Sequence, residues 1–236
     1  MEDGSVNVIG ILPTDRSPEM QKLLEPWLDI IETDDGRYPY TIRHEDADEN
    51  ETGVCTDRAQ FQELVRGCST VSLGQGGGQL VRYEDLEMTV TVHGPSCPYH
   101  LAPNWRIWTN QYQFRPELQP DDTATERTAQ LRELARTAHL QTGSVYTYTQ
   151  RFSQVFDPAV HVDRERVCAG ALDELYWLTI LGPKVVETIG RAALLAVESD
   201  RVESLEDGSV LLVVGNTPIN RDVPAYQRIR EELGIK

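Results

Sequence analysis

Two histidines and a cysteine lie within eight residues of one another, at His93, Cys97 and His100. Imidazole nitrogens and thiolates are common zinc ligands, and a fourth ligand could come from His161 or Cys168. The spacing matches no common zinc motif, and two prolines constrain the segment. Residues 93–100 are therefore either a metal-binding or hydrolytic segment or a structured turn.

A cysteine nucleophile activated by a histidine is a second chemical possibility. Cys97 or Cys168 could pair with His139 or His161. A catalytic cysteine needs electropositive surroundings that lower its pKa, and this chain has 22 basic residues against 38 acidic ones. We therefore predict no catalytic, cofactor-binding or metal-binding residues. An enzyme that uses residues 93–100 is kept as the alternative.

Aromatic side chains cluster between residues 104 and 114, a segment that predicts a strand. Trp105, Trp108 and Tyr112 could form a patch that anchors a protein partner, because Trp and Tyr are enriched in interface hot spots. The alternative is that these rings fill the space between a sheet and a helix. We predict that the three residues bind a partner.

The charge of the chain is strongly negative, with a formal net charge of −16 over 236 residues. Of the 22 basic residues only three are lysines, at Lys22, Lys184 and Lys236. Many carboxylates with few lysines are typical of a protein that works in concentrated salt, although an acidic surface could also serve a basic partner. Either interpretation argues against nucleic-acid binding, which needs clustered Lys and Arg.

The hydrophobic pattern predicts a cytoplasmic protein that does not enter the membrane. No apolar run approaches the roughly 18 residues of a membrane span. The first four residues, Met-Glu-Asp-Gly, are acidic where a signal peptide would be basic.

Periodicity places the secondary structure along most of the chain. Residues 86–93 alternate apolar and polar side chains, which predicts a half-buried antiparallel strand. A capping box at Thr123 and Glu126 begins a helix that runs to His139. Residues 32–57 are rich in Asp and Glu with little apolar periodicity, and they predict an exposed acidic loop.

The last third of the chain predicts a helix at residues 176–181, a Gly-Pro break, a short helix, a hairpin and a closing helix. The hairpin turns at Asp207-Gly208, a common turn dipeptide. Helices and strands alternate without a regular strand-helix rhythm. We therefore predict a single α+β domain over residues 1–236, with a mainly antiparallel sheet flanked by helices.

Three segments together resemble a family of immunity proteins. They are residues 86–94, the Tyr176-Trp177-Leu178 segment ahead of Gly182-Pro183, and residues 201–214, after which the likeness continues to Gly234. The chain is similar here to polymorphic-toxin immunity protein family 52 and to related immunity proteins of type VI secretion. The likeness covers roughly the C-terminal 60 residues well and the middle of the chain loosely.

The resemblance implies an α+β protein without catalytic residues that neutralises a toxin by docking on it and blocking its active site. Such surfaces are tuned to individual toxins, so no binding residues carry over from the family. The acidic segment at 32–57 and the Cys97 segment have no counterpart in it. A further alternative is a structural protein of a mobile element. Self-association of the chain in high salt would support that alternative.

Overall fold

The computed structural model of the chain describes residues 4–13, 19–30, 38–44, 49–73, 88–97, 101–119, 122–151, 162–172, 174–219 and 223–235. The strands in these ranges are β1 (Ser5–Ile11), β2 (Tyr38–His44), β3 (Glu51–Cys55), β4 (Cys68–Leu73), β5 (Met88–His93), β6 (Asn104–Asn110), β7 (Tyr146–Arg151), β8 (Leu178–Leu181), β9 (Arg201–Ser204) and β10 (Val210–Val213). The α-helices are α1 (Met20–Ile30), α2 (Arg58–Leu64), α3 (Thr123–Thr142), α4 (Arg164–Cys168), α5 (Pro183–Ile189), α6 (Arg191–Ala196) and α7 (Val223–Leu233).

The ten strands form one sheet in the order β3-β2-β4-β5-β6-β1-β7-β8-β10-β9. Each of the paired neighbours runs antiparallel. The predicted α+β class with a mainly antiparallel sheet is therefore confirmed. That the chain is a single domain stays a prediction. Among the described helices, none combines the length and the apolar character that crossing a bilayer requires.

The first face of the sheet carries a core that extends across most of its width. Successive residues of a strand point to opposite faces, so Val6 and Val8 of β1 lie on this side. Helices α1, α2 and α3 cover it with Trp27, Phe61 and Leu131, all fully buried. Helix α1 keeps Pro26 inside its span and still presents a buried apolar stripe.

The second face is divided into two halves of different character. On β1, β7, β8 and β10 it carries a second core, in which Ile9, Tyr148 and Leu212 pack with Val186 of α5 and Ile229 of α7. On β2, β4, β5 and β6 the same face carries mostly hydroxyl, imidazole and guanidinium groups. We call this second region the polar half-sheet; its residues are Thr41, Arg43, Thr70, Ser72, Thr89, Thr91, His93, Arg106 and Trp108.

The prediction of an exposed loop over residues 32–57 is wrong for its described part, which contains β2 and β3. Tyr40 and Ile42 are buried on the first face and alternate with Thr41 and Arg43 on the second. This alternation is short and lies among many acidic residues, so composition obscured it. β3 is an edge strand with a mostly exposed surface, which explains its polar sequence.

The prediction of a helix at residues 176–181 is also wrong, because Leu178–Leu181 form β8. This strand lies between β7 and β10, and all four of its residues are buried. A strand buried on both faces has no polar alternation, so its apolar run cannot be distinguished from a buried helix by periodicity. The following hairpin and the closing helix lie where they were predicted.

Candidate functional site

A cleft of about 590 Å³ lies on the polar half-sheet. Its floor comes from the second face of β2, β4, β5 and β6, and Asn50 and Cys97 contribute from the adjoining loops. The floor residues are held by the ladder of the sheet, which fixes their spacing. The cleft is therefore a shaped surface on a rigid support, as a recognition site requires.

Strand register arranges the floor in cross-strand rows. Thr41 lies opposite Ser72, Ser72 opposite Thr91, and Thr91 opposite Arg106. The Ser72 and Thr91 hydroxyl oxygens are 2.9 Å apart, and at the edge the Thr41 and Thr52 hydroxyl oxygens are 3.2 Å apart. Directly opposite side chains share one face of a sheet. The result is a row of neutral hydroxyls that ends at a guanidinium.

Two of the described residues that line the cleft carry a charge near pH 7, and both are arginines. Arg43 of β2 is exposed, and Arg106 of β6 is half-buried. No carboxylate occurs among the described residues that line the cleft, although the chain has 38 acidic residues. The strands that carry the two arginines are separated by three inter-strand spacings, about 14 Å. The described part of the cleft lining thus carries basic and neutral side chains on an acidic protein.

The structure brings together two members of the predicted metal-binding segment. His93 Nδ1 is 3.5 Å from Cys97 Sγ, and the Thr70 hydroxyl lies 3.2 Å from the same nitrogen and 3.5 Å from the same sulfur. Burial, assisted by the charge of Arg106, lowers the pKa of His93 to about 4, so its ring is neutral near pH 7. His93, Cys97 and Thr70 form a compact polar cluster at one end of the cleft.

The remaining predicted zinc ligands do not join this cluster. Cys168 lies in α4 and packs against the second core, and His100 and His161 fall outside the described residues. Within the described ranges, no group of three or more His, Cys, Asp or Glu side chains is placed to hold a metal ion. Of the predicted zinc ligands, His93 and Cys97 are the two that the described residues bring together.

His139, the proposed base for a cysteine nucleophile, belongs to a separate buried network. Its Nδ1 lies 2.9 Å from the Thr147 hydroxyl and its Nε2 lies 3.0 Å from the Ser209 hydroxyl. Ser209 in turn donates to Asp207 at 2.8 Å. Burial lowers the pKa of His139 to about 4, against the opposing charge of Asp207. These contacts fasten α3 to the β9–β10 hairpin and give His139 a structural role.

Trp105 lies on the first face, where it is fully buried. Its indole meets the ring of Trp27 edge to face at 5.2 Å, and its N–H lies 3.0 Å from the Thr142 hydroxyl and 2.9 Å from the Ser144 hydroxyl. A side chain without exposed surface cannot contact a partner, so the structure corrects the binding role predicted for Trp105. Trp105 instead fills the space between the sheet and the helices, as the alternative in the sequence analysis states.

Trp108 lies on the other side of the same sheet. It is in register with Asn7 of β1 and Thr89 of β5, at the boundary of the polar half-sheet, and it is 43% exposed. Tyr112 follows in a 3-10 turn at Gln111–Phe114 and is half-buried, with the Arg115 guanidinium 5.6 Å from its ring centroid. The partner-binding prediction therefore rests on these two residues.

The sequence did not single out Arg43 and Arg106, although both line the cleft. The available signal was the polar alternation of the strands, which assigns Thr89, Thr91 and His93 to one face. Arg43 lay in a segment interpreted as a loop, so its strand neighbours could not be deduced. Only the order β2-β4-β5-β6 places it in the same cleft as Arg106.

No protein-family model matches the sequence. No curated protein matches it either. Among solved structures, a Pseudomonas aeruginosa protein described as T6SS protein PA0821 is similar in fold, with a TM-score of 0.54 and 12% sequence identity. The similarity covers 99% of this chain and 73% of that protein. At this identity the comparison supports the fold alone.

Proposed function

We propose that this chain is a non-enzymatic binding protein of the immunity type, which neutralises a toxin by direct contact. Two independent likenesses support the proposal. The C-terminal sequence resembles immunity proteins of polymorphic toxin systems, and the fold is similar to that of a protein described as a T6SS protein. The finer assignment to immunity family 52 is part of the proposal.

The observation that carries the proposal is the exposed indole of Trp108 beside the polar half-sheet. A large aromatic ring at 43% exposure next to a polar rim is the composition of an interface hot spot. Tyr112 lies in the 3-10 turn that follows β6, and Arg115 comes directly after that turn. We propose that the Trp108 ring forms the apolar centre of the interface and that Tyr112 and Arg115 contribute to its rim.

The arrangement of the described polar groups favours binding over catalysis. His139 makes its contacts within the buried network between α3 and the hairpin. His93 is neutral, and its Nδ1 is shared between Thr70 and Cys97. We further propose that the protein works in the cytoplasm and at high salt, on the strength of its composition.

The test is partner capture with matched variants. Tagged wild-type protein, a Trp108→Ala variant and a Leu195→Ala variant are expressed in the source cells, and co-purifying proteins are quantified by mass spectrometry. Leu195 is the control because it is an equally exposed apolar side chain, also at 43%, on α6. We expect a stoichiometric partner that is retained by Leu195→Ala and lost with Trp108→Ala. Equal recovery with both variants would overturn this placement of the binding surface.

A further inference from the structure

We infer that the outer edge of β9 pairs with the same edge of a second copy of this chain, which forms a two-fold symmetric homodimer. This inference goes beyond the proposed function and concerns another part of the sheet, because four strands lie between β9 and the strand that carries Trp108. It commits to an identical chain as the occupant of the edge.

The edge of β9 presents main-chain groups that a further strand can use. Among the described strands, β9 is the last at its end of the sheet and has β10 as its neighbour. The N–H of Leu205 donates to the carbonyl oxygen of Ser209 at 2.9 Å, so these two residues form a hydrogen-bonded pair. Hydrogen-bonded and non-hydrogen-bonded pairs alternate along an antiparallel ladder. Within β9, Val202 and Ser204 therefore direct their main-chain groups outward, where another strand can pair with them.

Charge makes a second copy the strand that fits this edge. Arg201 and Glu203 lie on the first face of the sheet, opposite core residues of β10, and are 49% and 30% exposed. Arg201 Nη2 is 2.8 Å from Glu203 Oε2. A two-fold axis through Val202 places Arg201 of each copy opposite Glu203 of the other, so each side chain gains a second partner of opposite charge. Opposite charges at directly opposing positions stabilise an antiparallel pair.

The same charges disfavour the neighbouring registers. A shift of one pairing step in one direction places Glu203 opposite Glu203, and a shift in the other direction places Arg201 opposite Arg201. Like charges directly opposite each other destabilise a strand pair. The two side chains therefore define the register. Exposed ion pairs add little affinity, so other contacts must hold the two copies together.

Helix α6 supplies apolar surface beside this edge. It contacts both β9 and β10, and its buried Leu194 belongs to the second core. Leu195 is 43% exposed, and the exposed residues of the helix also include Ala192, Ala193 and Ala196. An axis perpendicular to the sheet keeps the second faces of both copies on the same side. The two α6 helices then become neighbours across the paired β9 strands, and burial of their apolar side chains favours the dimer.

The experiment measures the mass of the purified full chain by size-exclusion chromatography with light scattering. It is done at about 1 M potassium chloride, where a Debye length of about 3 Å screens the repulsion between two chains of net charge −16. Ion pairs in direct contact act within that distance. We expect a mass of about 53 kDa, twice the 26.6 kDa of the chain.

Arg201→Glu and Glu203→Arg form a matched pair of charge variants. Each alone places like charges opposite each other and should weaken the dimer at least about tenfold. A mixture of the two variants restores opposite charges at both positions and should recover the dimer. Arg66→Glu is the control, because it makes the same charge change on an exposed arginine that pairs with Glu63 of α2, at the other end of the sheet.

Val202→Pro tests the main-chain pairing without a change of charge. Proline lacks an N–H, and an edge strand tolerates it where that N–H faces outward. The variant should be folded by circular dichroism and monomeric. Glu203 also lies 3.4 Å from Arg136 of α3, so Arg201→Glu and Val202→Pro decide the outcome if Glu203→Arg unfolds.

Leu195→Ala should weaken the dimer about fivefold, because it removes part of the apolar surface of α6. The same variant should still capture the partner, as expected for the control of the capture test. The homodimer surface and the partner surface are therefore tested separately.

A monomeric mass at the highest soluble concentration would overturn the inference. So would a dimer that Arg201→Glu and Val202→Pro leave unchanged, or an equal loss with Arg66→Glu. Species larger than a dimer would show that β9 pairs with a different edge, such as that of β3. Each of these results leaves the proposed function standing if partner capture depends on Trp108, and loss of that dependence with an intact dimer would contradict the proposed function alone.

Discussion

Gly10 of β1 lies directly beneath the indole ring of Trp105 on the neighbouring strand. The two residues are cross-strand partners, and a Cβ atom built on Gly10 would lie 2.0 Å from Trp105 Cε2. The absence of a side chain at position 10 therefore leaves the space that the indole ring occupies. From that position the indole N–H reaches the Thr142 and Ser144 hydroxyls, which joins the sheet to the end of α3.

This relationship predicts that Gly10→Ala destabilises the protein. The added methyl group would displace a fully buried ring, and overpacking of this kind costs about 1–3 kcal/mol. Gly94→Ala is the control, because the nearest atom to a Cβ there is the flexible methyl end of Met20 at 3.1 Å. Urea unfolding of both variants should give the larger loss for Gly10→Ala, and an equal or smaller loss would contradict the packing described for Trp105.

The two tryptophans of β6 should separate stability from binding. Trp105→Ala removes a buried ring with its hydrogen bonds and should lower the free energy of unfolding by about 3–5 kcal/mol. Trp108→Ala removes a half-exposed ring and should change it by less than about 1 kcal/mol. Partner affinity should fall about thirtyfold with Trp108→Ala, equivalent to about 2 kcal/mol. Chemical denaturation measures the stability of the two variants, and calorimetric titration measures their affinity for the partner. A Trp108→Ala variant that unfolds would show that the Trp108 ring also belongs to the core.

The buried histidine of α3 predicts a loss of stability in mild acid. Burial lowers the pKa of His139 from its ordinary 6.5 to about 4, so between these values the unfolded chain binds a proton that the folded chain does not. The free energy of unfolding should therefore fall as the pH drops from about 6.5 to about 4, by up to about 3 kcal/mol for this group. Above pH 6.5 the contribution should be constant.

His139→Gln isolates this effect from the titration of the carboxylates. The variant should be less stable than the wild type at pH 7.5, because it loses contacts to Thr147 and Ser209. Its stability should then decline less steeply between pH 6.5 and 5 in denaturant unfolding. Parallel curves for the two proteins would show that His139 does not titrate as described.

The net charge predicts stabilisation by salt. At a formal charge of −16 the folded chain repels itself, and raising the ionic strength from about 0.1 M to about 1 M shortens the Debye length from about 10 Å to about 3 Å. The Tm should rise over this range by a similar amount in potassium chloride and choline chloride, since both act by screening. A Tm that stays constant or falls in scanning calorimetry would contradict a salt-adapted surface.

The sequence predicted the elements that have one buried face and one solvent-exposed face. Residues 88–93 and α3 show that alternation or stripe, and Asp207-Gly208 marks the hairpin turn. The sequence did not predict β8 as a strand, because burial on both faces removes the alternation of apolar and polar residues. The sequence did not predict β2 either, because its few apolar residues lie within an acidic segment. Local patterns report the exposure of an element, so they fail where exposure is uniform.

The site was less predictable than the fold, because long-range strand order creates it. Thr41, Thr70, Thr91 and Arg106 come from four strands that are separated in the chain and adjacent in the sheet. The aromatic run at residues 104–114 indicated a patch, but it could not say which of Trp105 and Trp108 faces inward. That choice depends on the register of β6 with β1, and one residue of slippage would exchange the two rings.

The most direct test of the proposed immunity function is a neutralisation assay with the captured partner. The partner is expressed from an inducible promoter in a bacterial host, alone, with the wild-type chain, and with the Trp108→Ala and Leu195→Ala variants. We expect growth arrest by the partner alone, rescue by the wild type and by Leu195→Ala, and weak rescue by Trp108→Ala. A partner that leaves growth unaffected, or arrest that the wild-type chain does not relieve, would contradict the immunity function.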